Sequence, residues 1–397
     1  MRKRVLVWLL VLWVVLGVSR AYAQQAMDIT GGCIVTAHIK SAETALATDG
    51  KYKTWFSSGL GAQAYLDIQL PEGEQAGGIV LKWAKPASAV CVQVAEDGQY
   101  TTIATSDTAF LADYIELPEG VTAFRVALRD KPRERLHISE LQVYSRGELP
   151  ESVQRWAPAW PKADLLVLST HPDDELIFLG GTIPYYARER GIAVQVAYAV
   201  SASPERRLEL LDGLWLCGVR NYPVLGNFAN RFSYKKKEIQ TAWGKARFDR
   251  FVIGLYREFR PEVVVTQDLQ GEYGHGAHKA VADAALRAVA MAADAKYEAK
   301  MARDLGIWQV KKLYLHLYPE NPIQMDWRVP LPSFGGRTAL EVAQEAFLCH
   351  VSQQRGVYFV EDSGPYDNSL FGLYHTTVGP DVQGGDFFEH VPHGMRQ

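Results

Sequence analysis

What most constrains this chain is a change of texture at Asp164. Beyond it, apolar runs alternate with helical patterns: DLLVLST, a helical stretch from Glu175 to Arg190, AVQVAYAV, a helix over Glu205–Leu216, EVVVTQ (Glu262–Gln267), then AHKAVADAALRAVAMAA. A strand that is apolar on both faces needs cover on both faces, and an intervening helix returns the chain so that successive strands run parallel. The expectation is an α/β fold, a parallel sheet with helices on both faces. In such sheets ligands bind outside the carboxyl ends of the strands, near the point where strand order reverses.

From about Ile29 to Tyr144 the chain reads differently. AYLDIQL (Ala64–Leu70) alternates, GGIVLKW follows, AVCVQVA runs into an EDG turn at Glu96–Gly98, and EGVTAFRVAL and ISELQVY close the set. Short strands at this spacing, with no long amphipathic helix, predict a β-sandwich. Arg146–Asp164 is Pro-rich and aperiodic, the natural linker. At 397 residues the chain is too long for one ordinary domain. The expected division is a leader over 1–23, a sandwich over 27–146, a linker over 147–163 and an α/β domain over 164–397.

The leader has a basic start (Arg2, Lys3, Arg4), an apolar stretch Val5–Val18 and a small-x-small site at Ala21–Ala23. This reads as a signal peptide, because the apolar stretch falls short of the ~20 residues a spanning helix needs, with an uncleaved anchor as the alternative given Arg20 so close to the cut. The expected location is therefore periplasmic or extracellular, with no transmembrane span after cleavage. Removing the leader leaves 38 basic against 45 acidic residues, a net of −7. That charge disfavours anionic polymers and acidic membranes. No basic run with interleaved aromatics is expected, so nucleic acid is not a partner. Cys33, Cys91, Cys217 and Cys349 share no C-x-x-C spacing, which disfavours a thiolate zinc site. Cys33 and Cys91 could pair in an oxidising compartment, or all four could be buried thiols.

Two turns carry the chemistry. His171, Asp173, Asp174 and Glu175 follow the first strand of the α/β domain. Helix capping accounts for one Asp, but not for two beside a histidine. In DLQGEYGHGAHKAV (Asp268–Val281), His275 and His278 are three apart where a helix begins, so both imidazoles can face one side. Turns at the same sheet edge can converge, and imidazole with carboxylate suits an ion such as Zn²⁺. A cation would offset the clustered negative charge.

THPDDE with GEYGHGAH resembles the PIG-L/LmbE family of zinc-dependent N-deacetylases, over roughly Ala163 to Pro392. The resemblance implies an LmbE-like, Rossmann-like domain and an N-acetylglucosamine-type carbohydrate substrate. It makes His171, Asp174 and His278 the zinc ligands, Asp173 the general base and His275 the group that stabilises the oxyanion or protonates the leaving amine. The family's second motif commonly reads His-Pro-Asp-His, whereas Gly276 and Ala277 stand here, so a carboxylate that would orient His275 is missing. Arg206 and Glu209 match an Arg-x-x-Glu helix. Arg206 is a candidate substrate contact or a solvated charge; Asn227 and Asn230 are candidate pocket residues or ordinary turn residues. His350 is expected in the core. ALATDGKYKTWFSS, AYLDIQL, Trp83 and VQVAEDGQY resemble the discoidin or coagulation-factor type C family, which implies a carbohydrate-binding module or a rigid spacer. The reading is an exported zinc-dependent carbohydrate N-deacetylase. Its alternatives are a sugar O-acetyl esterase, an amidase of a conjugate, and an inactive glycan-binding protein.

Overall fold

A computed structural model describes residues 24–392 except 39–40, 108–109 and 130–132, and without the side chains of 41–42. The expected signal peptide lies outside the described residues. The first part contains β1 (Ile34–Thr36), α1 (Ser41–Thr44), β2 (Phe56–Ser57), β3 (Tyr65–Gln69), β4 (Ala76–Lys85) and β5 (Val90–Glu96), then β6 (Gln99–Ser106), β7 (Ala112–Glu116), β8 (Ala123–Leu128) and β9 (His137–Ser145). They build two antiparallel sheets, ordered β1-β3-β8-β5-β6 and β2-β9-β4-β7. Leu66, Val92 and Val126 from the first sheet share one core with Leu81, Trp83 and Leu141 from the second. The EDG turn joins β5 to β6, with Asp97 at φ 50° and Gly98 at φ 80°. Two successive positive values are what a tight hairpin needs. The polar strands β6 and β7 carry too little apolar alternation to be read from sequence.

The second part contains β10 (Leu165–Ser169), α2 (Asp174–Ile177), β11 (Val194–Ser201), α3 (Pro204–Leu216), β12 (Val224–Ala229), α4 (Lys236–Trp243), α5 (Lys245–Phe259) and β13 (Val263–Thr266). It continues with α6 (Gly276–Ala293), α7 (Ala299–Leu305), β14 (Lys312–His316), β15 (Pro322–Gln324), α8 (Ala339–Leu348) and β16 (Leu370–Thr376). Its sheet runs β12-β11-β10-β13-β14-β16-β15, the first five strands parallel and β16 antiparallel to both neighbours. Alternate residues face opposite cores: Leu165 and Val167 pack with residues of α3 and α8, Leu166 and Leu168 with those of α4, α5 and α6. The chain moves outward from β10 in one direction to β11 and β12, and in the other to β13 and β14. Strand order therefore reverses between β10 and β13, where both motif turns emerge.

Two expectations need correction. The helical stretch Glu175–Arg190 is broken: α2 has only four residues, and Pro184–Glu189 is a π-helix. Gly180 sits at φ 52°, and a Cβ on Gly181 would lie 2.7 Å from the Cβ of Ala339. The chain thus turns tightly against α8 there, in a backbone conformation that glycine tolerates. The LGNFAN stretch, expected as loop, is mostly the edge strand β12, which includes Asn227. The segment expected as linker is packed. Trp156 is buried with its ring 5.2 Å from that of Trp215, whose indole N–H donates to the Glu151 carbonyl at 2.7 Å; beside it, Lys82 Nζ and Tyr52 Oη of the first part each reach Asp212 on α3 at 2.6 Å. All four cysteines are free thiols. Among the described residues no helix is long and apolar enough to cross a membrane.

Candidate functional site

The strand β10 delivers its acids into the interior rather than to solvent: every residue from 163 to 184 is buried. Asp173 has φ 110° and is held there from two sides. Such a value is strained for an Asp. Its backbone N–H donates to Glu175 Oε2 at 2.9 Å, and its Oδ1 meets the Arg206 guanidinium at 3.0 Å. Asp174 begins α2 and turns its Oδ2 back to accept the backbone N–H of His171 at 2.8 Å.

At the end of β13, the 3-10 turn Glu272–Gly274 leads into α6. Gly276 is obligatory in this path, since a Cβ would stand 2.6 Å from the Ser233 carbonyl, which accepts the Gly276 N–H. His278 then lies in the first turn of α6 and faces His171. Three donor atoms come together: His171 Nδ1 and Asp174 Oδ2 at 2.8 Å, His278 Nε2 and Asp174 Oδ2 at 3.2 Å, His278 Nε2 and His171 Nδ1 at 3.3 Å. Donors about 2.1 Å from a tetrahedral ion stand about 3.4 Å apart, so this triangle is close to the size a zinc-type ion requires.

His275 also has a nitrogen within 4.8 Å of those of His171 and His278. Hydrogen bonding argues against its being a ligand. The Ala277 N–H donates to His275 Nδ1 at 3.0 Å. That puts the proton of the neutral ring on Nε2 and leaves no lone pair there for a cation. Burial, then the neighbouring His278 and His171, hold His275 down to about 3, which favours the neutral ring.

The electrostatics ask for a cation. Burial would push His278 down, yet Asp174 and Glu272 outweigh it and raise the ring to about 10. A proton on His278 supplies the positive charge that a divalent ion would otherwise bring, and the donor set fits such an ion. Asp173 is raised to about 7, by burial first and then by the charge of Asp174, with Arg206 opposing. That is the range in which a general base works near neutrality.

Sequence reasoning assigned no role to the supports of this centre. Glu272, fully buried, accepts from His278 Nδ1 at 2.7 Å and from His316 Nδ1 at 2.8 Å. Burial alone would raise its carboxyl, but those two histidines hold it at about 2. Such a carboxylate fixes the tautomer and orientation of a metal-binding imidazole. His316 ends the apolar run KLYLH, so the strand-end argument that found His171 could have found it too. His350 is buried as expected, with its Nε2 3.6 Å from Glu175 Oε1 behind the Asp173 turn. Arg206 engages Asp173 and the Pro172 carbonyl, so it is not a solvated charge. Asn227 lies on β12 with its Oδ1 accepting from Arg247 at 2.7 Å, and Asn230 is exposed just beyond that strand. The expectation of no basic run with interleaved aromatics is corrected as well: residues 231–237 read RFSYKKK, though Lys235 and Lys236 pair with Glu238 and Asp283.

An α/β protein with a His–Asp–His triangle and an adjacent carboxylate, at the point where strand order reverses, has the parts of a metal-assisted hydrolase. Residues 166–289 match the family model described as PIG-L: GlcNAc-PI de-N-acetylase. A 1D-myo-inositol 2-acetamido-2-deoxy-alpha-D-glucopyranoside deacetylase of Catenulispora acidiphila is 29% identical over 194 residues, covering 41% of this chain and 59% of that protein. Its counterpart in Frankia casuarinae is 30% identical over 215 residues, covering 45% of this chain and 68% of the relative. The chain belongs to the PIG-L family. N,N'-diacetylchitobiose deacetylase from Pyrococcus horikoshii is similar at 18% identity with a TM-score of 0.37, covering 49% of this chain and 72% of that one.

Proposed function

We propose that the protein is an exported zinc-dependent carbohydrate N-deacetylase that hydrolyses the acetamide of an N-acetylglucosamine-type sugar, giving acetate and a free amine. The observation that carries this is the triangle of His171, Asp174 and His278, with the Asp173 carboxylate one residue from a proposed ligand and oriented by Arg206. A bound zinc ion would supply the Lewis acidity that activates water near neutral pH. The residues of the chain do the rest. Asp173 takes the proton of the attacking water, with Arg206 on Oδ1 fixing the carboxylate's orientation. His275, its proton on Nε2, hydrogen-bonds the oxyanion and keeps that proton, while Asp173 passes the proton it took from water to the departing amine. Bonds balance: water adds to the carbonyl carbon, the C–N bond breaks, and the proton held by Asp173 ends on the amine.

The finer architecture belongs to the same proposal. The segment 164–397 is the Rossmann-like catalytic domain, 27–146 a discoidin-like β-sandwich that binds glycan or acts as a spacer, and 147–163 their connection. Residues 1–23 direct export to the periplasm or outside the cell.

The test is acetate release from N-acetylglucosamine oligosaccharides by zinc-loaded protein, with O-acetylated sugars alongside and Asp173→Asn as control. Release from the amide that the control lacks, by a factor of about 10²–10⁴, is expected. Release from the ester alone would give the site to the esterase reading.

A further inference from the structure

The loop after β12 leaves two large rings in solvent beside the metal site. Phe232 is 61% and Tyr234 62% exposed, with their centroids 5.0 Å apart. The loop backbone is not loose: Ser233 between them is buried, its carbonyl accepts the Gly276 N–H at 2.6 Å and its hydroxyl bonds Glu238 at 2.8 Å. The Lys279 ammonium holds the Tyr234 carbonyl at 3.3 Å. Single exposed aromatics are ordinary, but a fixed loop that buries its serine and presents both flanking rings is not explained by packing.

The rings are continuous with the reacting centre. Phe232 stands edge-on to His275 at 5.0 Å, His275 lies 5.5 Å from Tyr273, and Tyr273 stacks on Tyr358 at 4.7 Å. An aromatic track therefore leads from the group beside the acetamide position out to solvent. Sugar rings present apolar C–H faces that pack on such rings while their hydroxyls stay wet. With Lys235 and Lys236 already paired to carboxylates, the rings are the more distinctive feature of this loop.

We propose that Phe232 and Tyr234 form a stacking subsite for the sugar residues next to the N-acetylated one, so that the preferred substrate is a glycan of three or more residues rather than a free monosaccharide. This rests on the deacetylase reading and extends its site outward. Binding of this kind is felt equally in ground and transition states, so it appears mainly in KM.

The experiment measures kcat/KM of zinc-loaded protein on N-acetylglucosamine and its dimer, trimer and hexamer. The wild type should gain about tenfold from monomer to trimer, mostly through KM, and little beyond. The trimer-to-monomer ratio should fall toward one in Phe232→Ala and Tyr234→Ala and return in Phe232→Trp, with melting temperature and zinc content unchanged. Equilibrium binding of the same sugars to Asp173→Asn reads the subsite even if no acetate is released, which separates its failure from that of the deacetylase reading. Equal affinity for monomer and trimer would overturn the proposal. So would Phe232-dependent association with phosphatidylcholine–phosphatidylglycerol vesicles in place of a chain-length effect, which would make the loop a membrane contact.

Discussion

The two turns that build the site are held by opposite means. After β10, carboxylates hold the backbone: Asp174, a proposed ligand, accepts the His171 N–H, Glu175 accepts the Asp173 N–H, and Asp173 is kept at φ 110°. After β13, glycines let the chain fold. Gly271 and Gly274 have φ of 66° and 79°, Gly276 passes under the Ser233 carbonyl, and a separate residue, Glu272, orients the imidazole. At Asp174 anchoring and proposed chemistry reside in one carboxylate, so a substitution there disturbs both. In the second turn His275 also holds backbone, through the Ala277 N–H, but His278 does not, so the contribution of that proposed ligand can be measured apart from the anchoring.

The largest effect should come from the proposed ligands. Asp174→Ala and His278→Ala are expected to lose the metal and all turnover above background, measured by metal content after gel filtration. Only Asp174→Ala should also loosen its turn, with faster amide exchange at His171. Equal exchange in both variants would remove the distinction between the turns. Next comes Glu272→Gln, which leaves Nδ1 of His278 without its carboxylate and should weaken zinc affinity about 10–100-fold. Unchanged affinity would show that α6 alone orients His278.

Glu175→Ala removes the acceptor that holds Asp173 in its strained conformation while leaving every proposed ligand in place. The expected result is normal zinc content and KM with kcat down about tenfold, and Glu175→Gln, which keeps an acceptor oxygen, should recover most of it. A loss of metal instead would mean that Glu175 supports Asp174 more than Asp173.

How far this was legible in the sequence follows the same division. The residues of the first turn and both histidines of the second were readable because they interrupt apolar runs at strand ends, where acids and imidazoles have no packing reason to be. Of their supports, only His316, at the end of KLYLH, was readable in the same way. Glu272 reads as an ordinary turn acid until the fold brings His316 to it from β14. Arg206 reads as either a substrate contact or a solvated helix charge, and only the docking of α3 beside Asp173 shows it holding that carboxylate. The break after α2 escaped because apolar periodicity continues through Gly180 and Gly181, and only contact with Asn368, Trp327 and Ala339 shows that the backbone must turn there. In the N-terminal part, β4 was found from its apolar run, whereas β6 and β7 gain their strand character from pairing with β5 and β4.

The smallest effect contrasts this site with the N-terminal part, where a buried carboxyl has no proposed chemistry. Burial raises Glu140 to about 7, against the Gly50 N–H that it accepts at 3.0 Å and the nearby Lys82. An acid raised in the folded state keeps its proton longer folded than unfolded. Its contribution is therefore neutral below the ordinary value of 4.5, turns against the folded state as pH climbs toward about 7, and stays constant above. Glu140→Gln keeps an acceptor for Gly50 and removes the ionisation. It should melt at a higher temperature than wild type at pH 8, by about 1–2 kcal/mol of stability, with the gap closing by pH 5. A gap that did not change with pH would assign the difference to packing, and one that grew on acidification would mean that the ionised Glu140 is held favourably by Lys82.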